Sequence, residues 1–112
     1  MSIPVDPRAL GAELGRFGRA GYLLTVGDER AHAVAVRIEG DGPELAVTPV
    51  GGRTAANVAA RPAVTVLWPP FEPGGYTLLA DGTATTDADA TTVRVSVERA
   101  VLHRPAPGGP PA

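Results

Sequence analysis

The sequence predicts a mainly β protein in which six antiparallel strands close into a small barrel, accompanied by two short helices. Three observations carry this. Apolar and polar residues alternate with the period of two that a half-buried strand requires, most cleanly across Ala31–Glu39 and Val93–Glu98. Gly, Asp and Pro punctuate the chain between such segments at short intervals. Only the stretches after Asp6 and after Gly52 combine helix start signals with helix-forming residues. Short strands joined by tight turns leave exposed edges unless the sheet closes on itself, and closure removes them.

In chain order, residues 1–5 read as an extended arm. Asp6-Pro7 starts the first helix, with Asp as N-cap and Pro at the first helical position. Leu10, Leu14 and Phe17 then share one face, which is expected to pack over one end of the sheet, and Gly18 to Gly21 ends the helix. Tyr22 to Val26 is the first strand, and Gly27-Asp28-Glu29-Arg30 is a hairpin turn. The second strand, Ala31 to Glu39, carries His32, Val34, Val36 and Ile38 on one face. Its other face, Ala31, Ala33, Ala35, Arg37 and Glu39, stays small until Arg37 and leaves room for a flat ligand or a partner subunit. Gly40 to Pro43 turns the chain into the third strand, Glu44 to Thr48.

Gly51-Gly52 leads into the second helix, Arg53 to Ala60, which stops at Arg61-Pro62 because a residue before proline is displaced from the α region. Ala63 to Trp68 is the fourth strand, and Pro69 to Gly75 is too rich in proline to be regular. The fifth strand runs from Tyr76 to Thr85, and Gly82 inside it marks a bulge or a close backbone approach. The last strand, Thr91 to Leu102, points Val93, Val95 and Val97 one way and Arg94, Ser96 and Glu98 the other. Residues 1–104 read as a single domain and 105–112 as a disordered Pro/Gly tail.

Composition narrows the functions. The net charge is −2, and the aromatics are one Trp, two Tyr and two Phe, so neither a basic stripe nor a stacking platform for nucleic acid is available. The absence of Cys removes disulfides, thiolate metal sites and cysteine nucleophiles. The two histidines, His32 and His103, lack ligand spacing, and no metal site is expected. No run reaches membrane-spanning length and no signal peptide is visible, so a cytoplasmic protein is expected.

The stretch Thr48 to Trp68 is where chemistry concentrates. Arg53 and Thr54 sit at the mouth of the second helix, where unpaired N–H groups and the positive end of the dipole suit an anion such as phosphate. A guanidinium there adds a charge-assisted hydrogen bond.

The order of these elements, with Arg37, Thr48, Gly51-Gly52, Arg53-Thr54, Asn57, Pro62, the run Val64 to Trp68 and Gly82, resembles the FMN-binding split-barrel family related to pyridoxamine 5′-phosphate oxidase. The similarity spans roughly Gly21 to Thr86. The resemblance implies a six-stranded antiparallel split barrel that binds FMN, or alternatively a deazaflavin, at the interface of a homodimer. It further implies that Arg37, Arg53 and Thr54 hold the phosphate, and that Thr48 approaches the ribityl chain or ring. Asn57 becomes a polar contact, and His32 stands where relatives carry another basic residue. Trp68, taken as part of the loop after the fourth strand, is expected near the interface.

The implied activity is a flavin-dependent oxidoreductase acting on a small organic substrate, with no catalytic residue assigned. Thr54 replaces a Lys found in many relatives, and the C-terminal section with an Arg and a His that holds pyridoxamine phosphate is missing. The alternative expectation is therefore a non-catalytic split-barrel protein that carries or senses flavin, deazaflavin or haem, or has lost its cofactor.

Overall fold

A computed structural model describes residues 1–106 of the 112-residue chain. Among these residues lie seven strands, β1 (Ser2–Val5), β2 (Ala20–Val26), β3 (Ala31–Glu39), β4 (Glu44–Thr48), β5 (Ala63–Trp68), β6 (Thr77–Thr86) and β7 (Val93–His103), with helices α1 (Leu10–Phe17) and α2 (Gly52–Ala60). The strand order is β1-β7-β4-β3-β2-β5-β6, and β6 pairs back onto β7, so six antiparallel strands close into a barrel with β1 outside it. This is the expected split barrel. The tail expected to be disordered lies, from residue 107 onward, outside the described residues.

β7 makes the closure possible. One edge pairs with β6 along its whole length, while the other serves β4 through Val93 to Ser96 and β1 through Ala100 to His103. The N-terminal arm is thus a strand rather than a free extension. Four residues are too few for a periodic signal, and this strand exists because β7 offers it an unpaired edge from the far end of the chain.

Alternation along the strands builds one core. Leu23, Val36, Ile38, Leu45, Val47, Val66, Leu78, Val93 and Val95 all point inward and are buried. Trp68 closes β5 and is 0 % exposed, its indole N–H without a partner among the described residues. The expectation that Trp68 belongs to a loop near an interface is therefore corrected: it holds the last inward position of a strand whose inward residues are Val64, Val66 and Trp68.

The alternation of β7 breaks at Glu98 and Arg99, which are both exposed. Val97 pairs with Gly82 and Arg99 with Asp81, leaving Glu98 as the extra residue of a bulge. Gly82 is required there, because a Cβ would collide with the Ser96 carbonyl and stand 3.0 Å from Val95 Cγ1. Gly82→Ala is accordingly expected to cost about 1–3 kcal/mol of stability, as overpacking does, read as a lower denaturant midpoint with an unchanged slope.

Beside this bulge, burial opposes ionisation of Asp81. Hydrogen bonds from the Thr65 hydroxyl (2.6 Å) and the Arg99 guanidinium (2.9 Å) outweigh it and hold the carboxyl below its ordinary value. A depressed carboxylate contributes stability that is fully present above its unfolded-state value and is lost as pH falls through the folded one. Asp81→Asn should therefore flatten the acid limb of the stability curve below about pH 4 and lower stability modestly at neutral pH, as pH-dependent urea unfolding would show.

The helices cap the barrel. Asp6 accepts the Arg8 backbone N–H (2.9 Å) and opens a 3-10 turn, Pro7–Ala9, that runs into α1, whose Leu10 and Leu14 are buried. α2 fills the connection from β4 to β5 and packs against β2 and β6 through Thr54 and Val58.

Candidate functional site

A groove of about 460 Å³ lies between the β2–β3 turn and the outer side of α2. It is lined by His32 at the start of β3, by Arg53 and Asn57 from α2, and by the turn residues Asp28, Glu29 and Arg30. Arg53 and Asn57 are one helical turn apart and so share a face. The walls are pinned together. Asn57 donates its side-chain N–H to the buried Thr25 hydroxyl (3.1 Å), and Arg61 at the end of α2 pairs with Asp28 in the turn (3.0 Å).

Arg53 stands out electrostatically. Of the ten arginines, Arg8, Arg16, Arg19, Arg37, Arg61, Arg94 and Arg99 are paired with carboxylates among the described residues. Arg53 is not, and neither is Arg30 across the groove. No side chain caps α2, whose first turn has N–H groups without intrahelical acceptors.

The structure divides the expected site residues into two sets. His32, Arg53 and Asn57 meet in the groove. Thr54, adjacent to Arg53, is 1 % exposed and belongs with Val58 to the inner face of the helix. Its hydroxyl does not line the groove, since neighbouring helical residues diverge by about 100°, and it has only its backbone N–H to offer there.

Arg37 is also elsewhere. It lies five residues along β3 from His32, roughly 17 Å at strand rise, and on the opposite face. Its Nε donates to Glu39 (2.6 Å), and its cross-strand neighbour is Thr48. Arg37 and Arg53 therefore do not converge on one phosphate within a subunit, because period-two alternation sends residues 32 and 37 to different faces. The Thr48 hydroxyl donates to the Thr91 carbonyl (3.2 Å) and ties β4 to the β6–β7 turn. Arg30 was not among the expected site residues. A turn arginine carries no sequence signal of its own, and only its place opposite α2 brings it to the groove.

Arg37 and Thr48 border an apolar outer face. Tyr22 sits in register between Ala35 and Leu67, and Leu24 between Ala33 and Thr65, with Val26 beside Ala31. Tyr22 and Val26 are 42 % and 48 % exposed. A second groove, of about 300 Å³, lies at the other end of the barrel between Arg16, Phe17, Phe71, Tyr76 and Arg104. There Phe71 of the proline-rich loop stacks on Phe17 with ring centroids 4.9 Å apart.

Solved structures share this architecture. A candidate pyridoxamine 5′-phosphate oxidase from Listeria innocua superposes with a TM-score of 0.67 at 18% identity, over 83% of this chain and 97% of its own. The FAD binding protein of Mycobacterium smegmatis gives 0.62 at 14% identity over 93% and 100%, and a FAD-binding protein of Mesorhizobium loti 0.64 at 14% over 90% and 97%. At these identities the likeness establishes the fold alone, a split barrel.

No protein-family model matches the chain. Two mycobacterial proteins do, the uncharacterized protein Mb0449c of Mycobacterium bovis and the uncharacterized protein MT0457 of Mycobacterium tuberculosis. Each is 45% identical over 124 residues, covering 96% of this chain and 87% of the relative. The chain belongs to the family of these two proteins.

Proposed function

We propose that this protein binds a flavin nucleotide, with FMN as the minimal form, and acts as a homodimeric flavin-dependent oxidoreductase on a small organic substrate. The observation that carries the reading is the groove in which Arg53, without a carboxylate partner among the described residues, meets His32 and Asn57 beside the uncapped start of α2. A phosphate fits this donor set: a guanidinium for bidentate pairing, an imidazole, and backbone N–H groups at a helix N-terminus. The fold shared with two FAD-binding proteins and a candidate pyridoxamine 5′-phosphate oxidase supports the flavin itself.

The remaining residues follow from the distance along β3. With the phosphate in the groove, Arg37 and Thr48 stand roughly 17 Å away, on the scale of an extended flavin mononucleotide. They lie on the edge of the apolar outer face, so a second copy packed on that face would cover the ring. Bound flavin supplies the hydride chemistry, while the chain's own residues anchor the phosphate, orient the ring and exclude water.

A carrier without catalysis is the second reading. The groove's donor side chains, Arg53, His32 and Asn57, serve to hold an anion, and none of them is assigned a catalytic step.

The test is an absorbance spectrum of the purified protein, taken after adding FMN and removing the excess. A retained flavin band with protein-dependent shifts is the expected result. A Soret band in the purified protein would replace flavin with haem, and no retained flavin would overturn the reading. Turnover of reduced or oxidised flavin by candidate substrates then separates enzyme from carrier.

A further inference from the structure

Thr25 lies beneath the groove and touches both of its walls. It holds an inward position of β2, after Gly21 and Leu23, and is 1 % exposed. It is one of two buried polar side chains among the described residues, the other being Thr54. A hydroxyl at a core-facing position costs stability unless it is hydrogen-bonded, and Val has nearly the same shape with a higher preference for strands. The barrel by itself therefore has no use for this hydroxyl. Its one side-chain bond among the described residues is with Asn57, whose amide N–H it accepts (3.1 Å). Directly across the β2–β3 ladder from Thr25 stands His32, a second groove residue. The turn closes in as well, since a Cβ on Gly27 would lie 3.8 Å from both end atoms of the Asn57 amide.

We infer that Thr25 is a positioning residue for this groove: its hydroxyl fixes the Asn57 amide, which gives its remaining N–H to the bound anion one helical turn from Arg53. This rests on the flavin reading above and adds to it a residue that touches no ligand. An amide carries two N–H donors, and Asn57 makes only the Thr25 bond through its side chain among the described residues. The terminal torsion of Asn is broad and lets an unpartnered, half-buried amide turn among several orientations. An amide held in place before the ligand arrives loses less freedom on binding, and that saving appears as affinity.

The experiment is isothermal titration calorimetry of the full chain and its variants with FMN and with riboflavin, after thermal melts confirm that each variant is folded. Thr25→Val is expected to lower FMN affinity about three- to tenfold and to leave riboflavin within about twofold. Thr25→Ala, which only removes atoms, carries the same expectation. Thr25→Ser keeps the hydroxyl and should bind FMN within about twofold of the wild type. Adding Thr25→Val to Asn57→Ala should cause no further loss, because the two residues act as one unit. Wild-type FMN affinity in Thr25→Val, an equal loss of both flavins, a loss that persists in Thr25→Ser, or full additivity with Asn57→Ala overturns the inference and leaves the flavin site standing. No binding of FMN by the wild type overturns the flavin reading and this inference with it.

Discussion

Ala35→Glu is expected to turn a dimer into a folded monomer that no longer retains flavin. Light scattering should move from about twice the 11.4 kDa chain mass to one chain mass, and the flavin band should be lost on desalting. Ala35 lies on the apolar outer face, in register with Tyr22, whose other neighbour is Leu67. Outward residues of this kind contribute nothing to the barrel's own core, so the monomer fold should survive the change. In a packed interface the new carboxylate would be desolvated and would have to compete with Glu39 for Arg37, a penalty of roughly several kcal/mol that a small dimer does not withstand. Flavin loss follows on the proposed placement, in which the ring end at Arg37 and Thr48 would lose the surface that covers it. A wild-type monomer with flavin bound would contradict this interface, and a dimeric Ala35→Glu variant would move the contact elsewhere.

Arg53→Ala should weaken binding of FMN and FAD at least about tenfold, equivalent to about 1.4 kcal/mol, and leave riboflavin binding unchanged. Charge-assisted bonds to phosphate are the stronger kind, and this guanidinium makes no competing ion pair among the described residues. Riboflavin has the ring and ribityl chain without the phosphate, so it separates loss of an anion contact from general damage. Thr54→Ala serves as the internal contrast. Its side chain is buried on the inner face of α2, so the change should appear in stability and not in affinity. Equal affinity of Arg53→Ala and wild type for FMN would remove the phosphate from this groove.

These expectations depend on residues that were not equally legible in the sequence. Arg53 and Asn57 were readable because helix periodicity places positions four apart on one face, and the glycine turn before them marks the helix start. Thr54 was legible only in part. Adjacency in sequence placed it beside Arg53 at the helix mouth, whereas the burial of Val58 one turn later shows which face the core claims. Arg37 and His32 are both candidates in the sequence, and the alternation of β3 by itself places them on opposite faces. Arg30 left no trace, because nothing local distinguishes a turn arginine that faces a helix from one that faces water.

The sequence by itself determined the barrel strands, their inward faces, both helices and the glycine-led start of the second helix. All of these are properties of period, capping and turn chemistry within a dozen residues. Only the tertiary structure decided that β6 closes onto β7, that the first residues form β1 on β7's remaining edge, and that Trp68 is core. It also decided which arginines are spent on carboxylates among the described residues. Those outcomes depend on register between strands distant in the chain and on the charges that register brings together, which no local pattern encodes.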